Sequence, residues 1–216
     1  MKTSSRSTPP ASERLTLEVI VDAAAELVAR DGFDGLSMRK LAQRCGVGVM
    51  TLYGYVPTKD DLLGALADRL LADLELPQPG DGDWRSQVRA VFRSVRRVFL
   101  EHPELARLVA AGRVGGTAAY RGAEIVFRAL RSAGLSGPQI VSAFDALTSF
   151  TVGSAQREIG LRTPARAALP GLEALPAEGF DHVVDLAGLL ATRNPEQDFE
   201  AGLDLLITGI ERRRKP

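Results

Sequence analysis

The segment from Ser37 to Lys59, SMRKLAQRCGVGVMTLYGYVPTK, restricts what this chain can fold into more than any other part of it. Ser37 is placed to cap a short helix, Met38 to Cys45. Gly46 then supplies the left-handed residue that ends such a helix in a tight turn. A second short helix follows at about Val49–Tyr55, and Pro57 closes it. Leu41, Ala42, Val47 and Leu52 fall where the two helices face one another, with Ala42 small enough for close approach. Two short helices joined this way form a helix-turn-helix, whose second helix offers its N-terminal residues to the major groove of duplex DNA.

Overall charge neither supports nor opposes a nucleic-acid partner, because Lys+Arg and Asp+Glu both number 27. The local distribution is informative instead. From Gly35 to Lys59 there are four basic residues and no acid, where the average acid density would place about three; this fits a surface turned toward phosphates. Ser37, Thr51, Tyr53 and Tyr55 add uncharged donors that fix register on a DNA backbone, and acids resume at Asp60. The competing reading, a purely structural αα-corner, explains the glycine turn but neither the acid-free window nor the paired tyrosines.

The rest of the chain repeats the helical period without alternating β-branched runs, so the expected fold is all-α. Residues 1–13, rich in Ser, Thr and Pro, read as a flexible arm. Apolar spacing predicts a first helix from Leu15 to a stop at Asp31-Gly32. A helix capped by Thr58 runs through Leu74. The stretch 77–83 is a linker, giving a three-helix helix-turn-helix domain over 14–76 and a larger helical domain over 84–216. Within the latter, helices are expected near 84–101, 103–112, 117–134, 137–160, 179–191 and 196–213, with a loop over about 161–178. The single Cys45 excludes an intrachain disulfide and reads as a small core residue. The N-terminus lacks the apolar core of a signal peptide, no apolar run reaches the length of a membrane span, and a cytoplasmic protein is expected.

The pattern Gly35-Leu36-Ser37-Met38-Arg39, Leu41-Ala42, Gly46-Val47, Thr51-Leu52-Tyr53, Tyr55, Lys59 and Leu62-Leu63 resembles the DNA-binding domain of the TetR family over roughly Leu15 to Leu74. The second half is similar, more weakly, to the tetracycline-repressor type of C-terminal domain, through Trp84, the Gly134 turn, Phe150-Thr151-Val152-Gly153 and Phe199-Glu200-Ala201-Gly202-Leu203. The resemblance implies that a recognition helix begins near Gly48 and that Val49 and Met50 face base edges. Thr51 would touch a base or phosphate, and Arg39 is at a position that contacts guanine. Tyr53, Tyr55 and Lys59 would hold phosphates, and Arg6 or Arg14 the backbone or minor groove. Val49 and Met50 are apolar where many relatives carry polar readers. They meet thymine methyls but donate no hydrogen bond, which shifts polar reading to Arg39.

The same resemblance implies a homodimer through helices near 137–160 and 196–213, which would place two reading heads in successive major grooves about 34 Å apart. It also implies a small-molecule effector, of unknown identity, in the helical core. By helix face the candidate lining residues are Val91, Val95, Val109, Arg113, Phe127, Phe144, Thr148 and Arg157, each of which has an alternative as core or solvated surface. The His, Thr and Glu that tetracycline repressors use around a magnesium–drug complex align with Val109, Gly112 and Arg157, so no metal or other cofactor is expected. His102 and His182, the only histidines, have no ligand-spaced partners. The basic run Arg212-Arg213-Arg214-Lys215 reads as a complement to the last helix dipole. A ligand-released repressor of a double-stranded DNA operator is thus the leading expectation. A dimeric DNA-binding regulator with no effector remains open beside it. An enzyme with an accessory DNA-binding domain finds no phosphate loop, nucleophile elbow or His–acid constellation.

Overall fold

The computed structural model describes residues 15–78, 80–112, 114–162, 175–176 and 178–213. The N-terminal arm with Arg6 and Arg14, Arg113, most of the 161–178 loop, and Arg214-Lys215 lie outside the described residues. Among the described residues the chain is all-α, with ten helices. They are α1 (Leu17–Gly35), α2 (Met38–Arg44), α3 (Val49–Tyr53), α4 (Lys59–Leu71), α5 (Trp84–Glu101), α6 (Pro103–Ala110), α7 (Thr117–Ser132), α8 (Gly137–Leu161), α9 (Asp181–Ala191) and α10 (Pro195–Arg212). Contacts divide the chain into two compact units, Met1–Leu66 and Ala67–Pro216. The division falls inside α4, whereas the break in apolar periodicity lies beyond it.

In the first unit, Ile20, Val21, Ala24 and Leu27 of α1 are buried, as are Leu36, Leu41, Leu52, Val56, Leu62 and Leu66. The stop expected at Asp31-Gly32 is present as a kink: Gly32 takes φ 71°, and helical bonding resumes briefly to Gly35. The start of α4 is a reciprocal cap. The Asp61 N–H donates to Thr58 Oγ1 at 3.0 Å and the Thr58 N–H to Asp61 Oδ2 at 3.0 Å, as a capping box requires. The helix ends at Leu71 rather than Leu74. The chain is drawn out of helical register there: the Glu75 N–H donates to Ser94 Oγ on α5 at 2.8 Å.

In the second unit, Trp84, Val88, Val91 and Phe92 of α5, Val126 and Leu130 of α7, Ile140 and Leu147 of α8, and Phe199, Leu203 and Ile207 of α10 form one core. Close approach of α8 and α10 depends on Gly202, since a Cβ there would overlap the Phe150 ring. That ring stacks on Phe199 with centroids 5.6 Å apart. A ladder of ion pairs binds α5 to α10. Arg85 pairs with Glu211, Arg89 with Asp204, Arg93 with Glu200 and Arg96 with Glu196. Numbers rise along one helix as they fall along the other, so the two are antiparallel. Most rungs are solvent-exposed and contribute little stability individually; Arg96, only 5% exposed, is the exception.

Candidate nucleic-acid interface and effector region

Local chemistry makes the helix-turn-helix. Ser37 is the N-cap of α2, its Oγ accepting from the Lys40 N–H at 3.2 Å, and its O–H remains available as a donor. At the other end Gly46 sits at φ 68°. The Val47 N–H reaches back to the Ala42 carbonyl at 3.0 Å and the Gly46 N–H to Gln43 at 3.2 Å. These two bonds are a Schellman cap, so the tight turn is a property of glycine at this one position. Gly48 is then the N-cap of α3 and supplies no side-chain bond.

Packing decides which side chains of the pair stay in solvent. Met38, Leu41 and Ala42 of α2 and Leu52 of α3 are buried. Val49 is half-buried, Thr51 exposed, and Met50 is 82% exposed. Tyr53 and Tyr55 are also exposed. Met50, an unbranched apolar side chain near the start of a short helix, therefore stands in solvent with its neighbours Thr51 and Tyr53.

The four cations of the acid-free window separate into two classes. Lys40 pairs with Asp31 at 3.6 Å, and Arg44 pairs with Glu26. Asp31 also bonds Arg30, and chiefly that bond holds its carboxyl down at about 2. Arg39, exposed on α2, and Lys59 form no ion pair among the described residues. Acids of α1 therefore pair with two of the cations, and among the described residues the other two have no ion-pair partner, a distinction that charge counting along the sequence does not make. Burial pushes the Cys45 thiol pKa up, which makes it a poor nucleophile and agrees with a packing role.

The structure brings some of the expected effector residues together. Phe127 of α7 and Phe144 of α8 meet edge-to-face at 4.9 Å. Phe92 of α5, not among the expected residues, lies 6.3 Å from Phe144; its signal was its place beside Val91 on the apolar face of α5. Phe127 and Phe144 are partly exposed against the core, Thr148 follows one turn after Phe144, and Val95 and Val109 are half-buried. Val91 is only 2% exposed, in the core. Arg157 stands apart. It is about 20 Å further along α8 by helical rise, exposed, and paired with Asp198 of α10 at 3.5 Å. Among the described residues no group of three His, Cys, Asp or Glu is placed to hold a metal ion, and no helix is long and apolar enough to cross a membrane.

Residues 20–66 match the family model described as bacterial regulatory proteins, tetR family, and residues 76–214 match that of the tetracyclin repressor-like C-terminal domain. The chain is 36% identical over 211 residues to the HTH-type transcriptional repressor DrrR1 of Streptomyces coeruleorubidus, covering 91% of this chain and 77% of that one. It is 34% identical over 202 residues to the tetracycline repressor protein class D of Escherichia coli, covering 92% and 90%. Among solved structures, the Streptomyces coelicolor TetR family protein ActR in complex with actinorhodin matches with a TM-score of 0.81 at 36% identity, covering 91% of this chain and 97% of that one.

Proposed function

We propose, from the premise that this chain belongs to the tetR family of bacterial regulatory proteins, that it is a homodimeric repressor released from its DNA operator by a small aromatic ligand. The observation that carries DNA binding is the capped α2–α3 pair with Met50, Tyr53 and Tyr55 held in solvent, beside the unopposed Arg39 and Lys59. In this assignment Val49, Met50 and Thr51 meet base edges, Arg39 reads a guanine, and Ser37, Gly48, Tyr53, Tyr55 and Lys59 face the backbone. Residues 14–76 form the DNA-binding domain and 84–216 the effector and dimerisation domain. The protein acts where the DNA is, in the cytoplasm, and no catalytic step is assigned to it.

Dimerisation through α8 and α10 is supported by the side chains these helices leave in solvent. Val141 is 64% and Leu205 75% exposed, next to small exposed residues Ala146, Gly153, Ala201 and Gly209 that let a second pair of helices approach closely. Helix α9 buries none of its residues and exposes Val183, Val184, Leu186 and Leu189, further apolar area for a second copy to cover.

The effector is placed among α5, α6, α7 and α8, against Val95, Val109, Phe127, Phe144 and Thr148. Its aromatic class is argued from the Phe92–Phe127–Phe144 cluster and from the compound in the ActR complex. Ligand must bind the DNA-incompetent state more tightly than the competent one for release to follow. The test is selection of bound sequences from random DNA, followed by challenge of the complex with actinorhodin and a panel of other planar aromatics in a fluorescence-anisotropy assay. Release by a member of the panel, abolished in a Phe127→Ala/Phe144→Ala variant, is the expected result. A compound that binds without release is excluded as the effector, and a C-terminal domain with no cavity large enough for a ligand, on the order of 300 Å³, would favour a regulator that has no effector.

Lys59 offers a separate check on the interface. As a single phosphate contact, its replacement by alanine is expected to weaken binding to all sequences alike and to lower the slope of log K against log salt by about one per half-site. A sequence-dependent loss would remove Lys59 from the phosphate set.

A further inference from the structure

Helix α7 begins without a cap of its own. Its N-cap residue, Gly116, has no side-chain bond to offer, and the N–H of Ala118, second in the helix, donates instead to Asp68 Oδ1 at 2.6 Å. That carboxylate comes from α4. It occupies the space a side chain at 116 would need: a Cβ there would stand 2.5 Å from Oδ1 and 2.6 Å from Cγ. An anionic acceptor at a helix N-terminus satisfies an orphan donor and complements the helix dipole, so the contact is a specific joint between two helices. The chain beyond α4 continues along α7, where Leu74 and Leu76 lie within contact distance of a Cβ at Gly122.

The position of this joint matters. Helix α4 begins at Lys59, directly after the helix-turn-helix, and its second half, which carries Asp68, belongs to the second unit. Helix α7 carries Phe127 into the aromatic cluster with Phe144. We infer that Asp68 is the positioning residue that makes the start of α7 and helix α4 move together, so that occupation of the aromatic region is passed to the helix that follows the DNA-reading pair. This rests on the effector reading above, but the joint is testable with no effector at all. Coupling between binding sites is reciprocal, and operator DNA must therefore alter the joint as much as the joint alters operator binding.

The experiment is amide hydrogen exchange over the first turn of α7 in the full-length protein, with and without a selected operator, for the wild type, Asp68→Ala, Asp68→Asn and Gly116→Ala. In the wild type, operator is expected to change exchange at Ala118 by about fivefold or more. In Asp68→Ala exchange is fast in both states and the operator-linked difference is gone. Asp68→Asn keeps an acceptor oxygen and restores part of that difference. Gly116→Ala, which displaces the carboxylate while leaving Asp68 in the sequence, reproduces its loss and carries the test should Asp68→Ala fail to fold. An operator-linked change that survives in Asp68→Ala or Gly116→Ala overturns the inference, as does the absence of any such change in the wild type. If exchange behaves as expected but no aromatic compound releases operator, the joint stands and the effector class is wrong. If release is intact but the operator-linked change is absent, the signal takes another route.

Discussion

Replacing Arg39 with alanine is expected to weaken binding to a selected operator by about 1–3 kcal/mol per half-site and to erase discrimination at one base pair in each. The size follows from what the reading surface lacks. Met50 is the most exposed apolar side chain on the pair and Val49 is half-buried, and neither can donate to a base edge. A guanidinium offers two parallel donors to the O6 and N7 of guanine, and Arg39 is the arginine of this window that has no ion-pair partner among the described residues. Arg44, two positions from the turn, is held by Glu26. The pattern of loss separates the assignment from a phosphate contact. Against a set of operators carrying each single-base change, Arg39→Ala should bind four variants at one position about equally while keeping the wild-type order elsewhere. Lys40→Ala, whose partner Asp31 already offsets its charge, should move affinity much less. Unchanged anisotropy titrations for Arg39→Ala, or a uniform loss across all operators, would remove Arg39 from base reading.

Much of the first unit was legible because its signals are local. Ser37, Gly46 and Thr58 act within a few residues of themselves, through a cap, a left-handed turn and a capping box, and the structure places all three in those roles. What the sequence concealed is what distant residues do to one another. Glu26 and Asp31 on α1 decide which cations of α2 remain open, although no rule applied along the acid-free window refers to them. Helix α4 stops short of Leu74 because Ser94, nineteen residues on, takes the Glu75 N–H. The cap of α7 escapes a search for capping residues, since the residue at the cap is a glycine and the acceptor is Asp68. Arg157 and Phe92 show the same limit in the effector region. Helical periodicity gives the face of each helix but not the neighbour it meets, and Asp198 claims Arg157 while Phe144 gathers Phe92.

Arg96 is where that limit has its largest energetic consequence. The apolar face of α5 suggests an arginine on its border, yet the side chain is almost wholly buried. Nη1 bonds Glu196, Nη2 bonds Glu158, and the guanidinium lies 4.8 Å from the Phe199 ring centroid. It joins α5 to α8 and α10, the two helices assigned to dimerisation. Removing one partner of a buried ion pair leaves the other desolvated and uncompensated, a loss of about 3–5 kcal/mol. Glu158 keeps Arg162 at 2.9 Å and the Glu196 side chain is 64% exposed, so Arg96→Met should fall at the low end, about 3 kcal/mol, measured by chemical denaturation of the full-length protein. Arg93→Met is the contrasting case. Arg93 makes a bidentate bond to Glu200 at 2.6 and 2.7 Å, a better geometry on paper, but its side chain is 52% exposed, and its loss should stay below about 1 kcal/mol. Adding Glu158→Gln to Arg96→Met should recover only part of that loss, because the half-buried Glu158 carboxylate keeps one of its two partners, Arg162, when Arg96 is gone. Equal and small losses for Arg93→Met and Arg96→Met would show that burial does not set the strength of the α5–α10 ladder. A double variant no more stable than Arg96→Met would place the loss in packing against Phe199 rather than in the carboxylate that has lost one of its two partners.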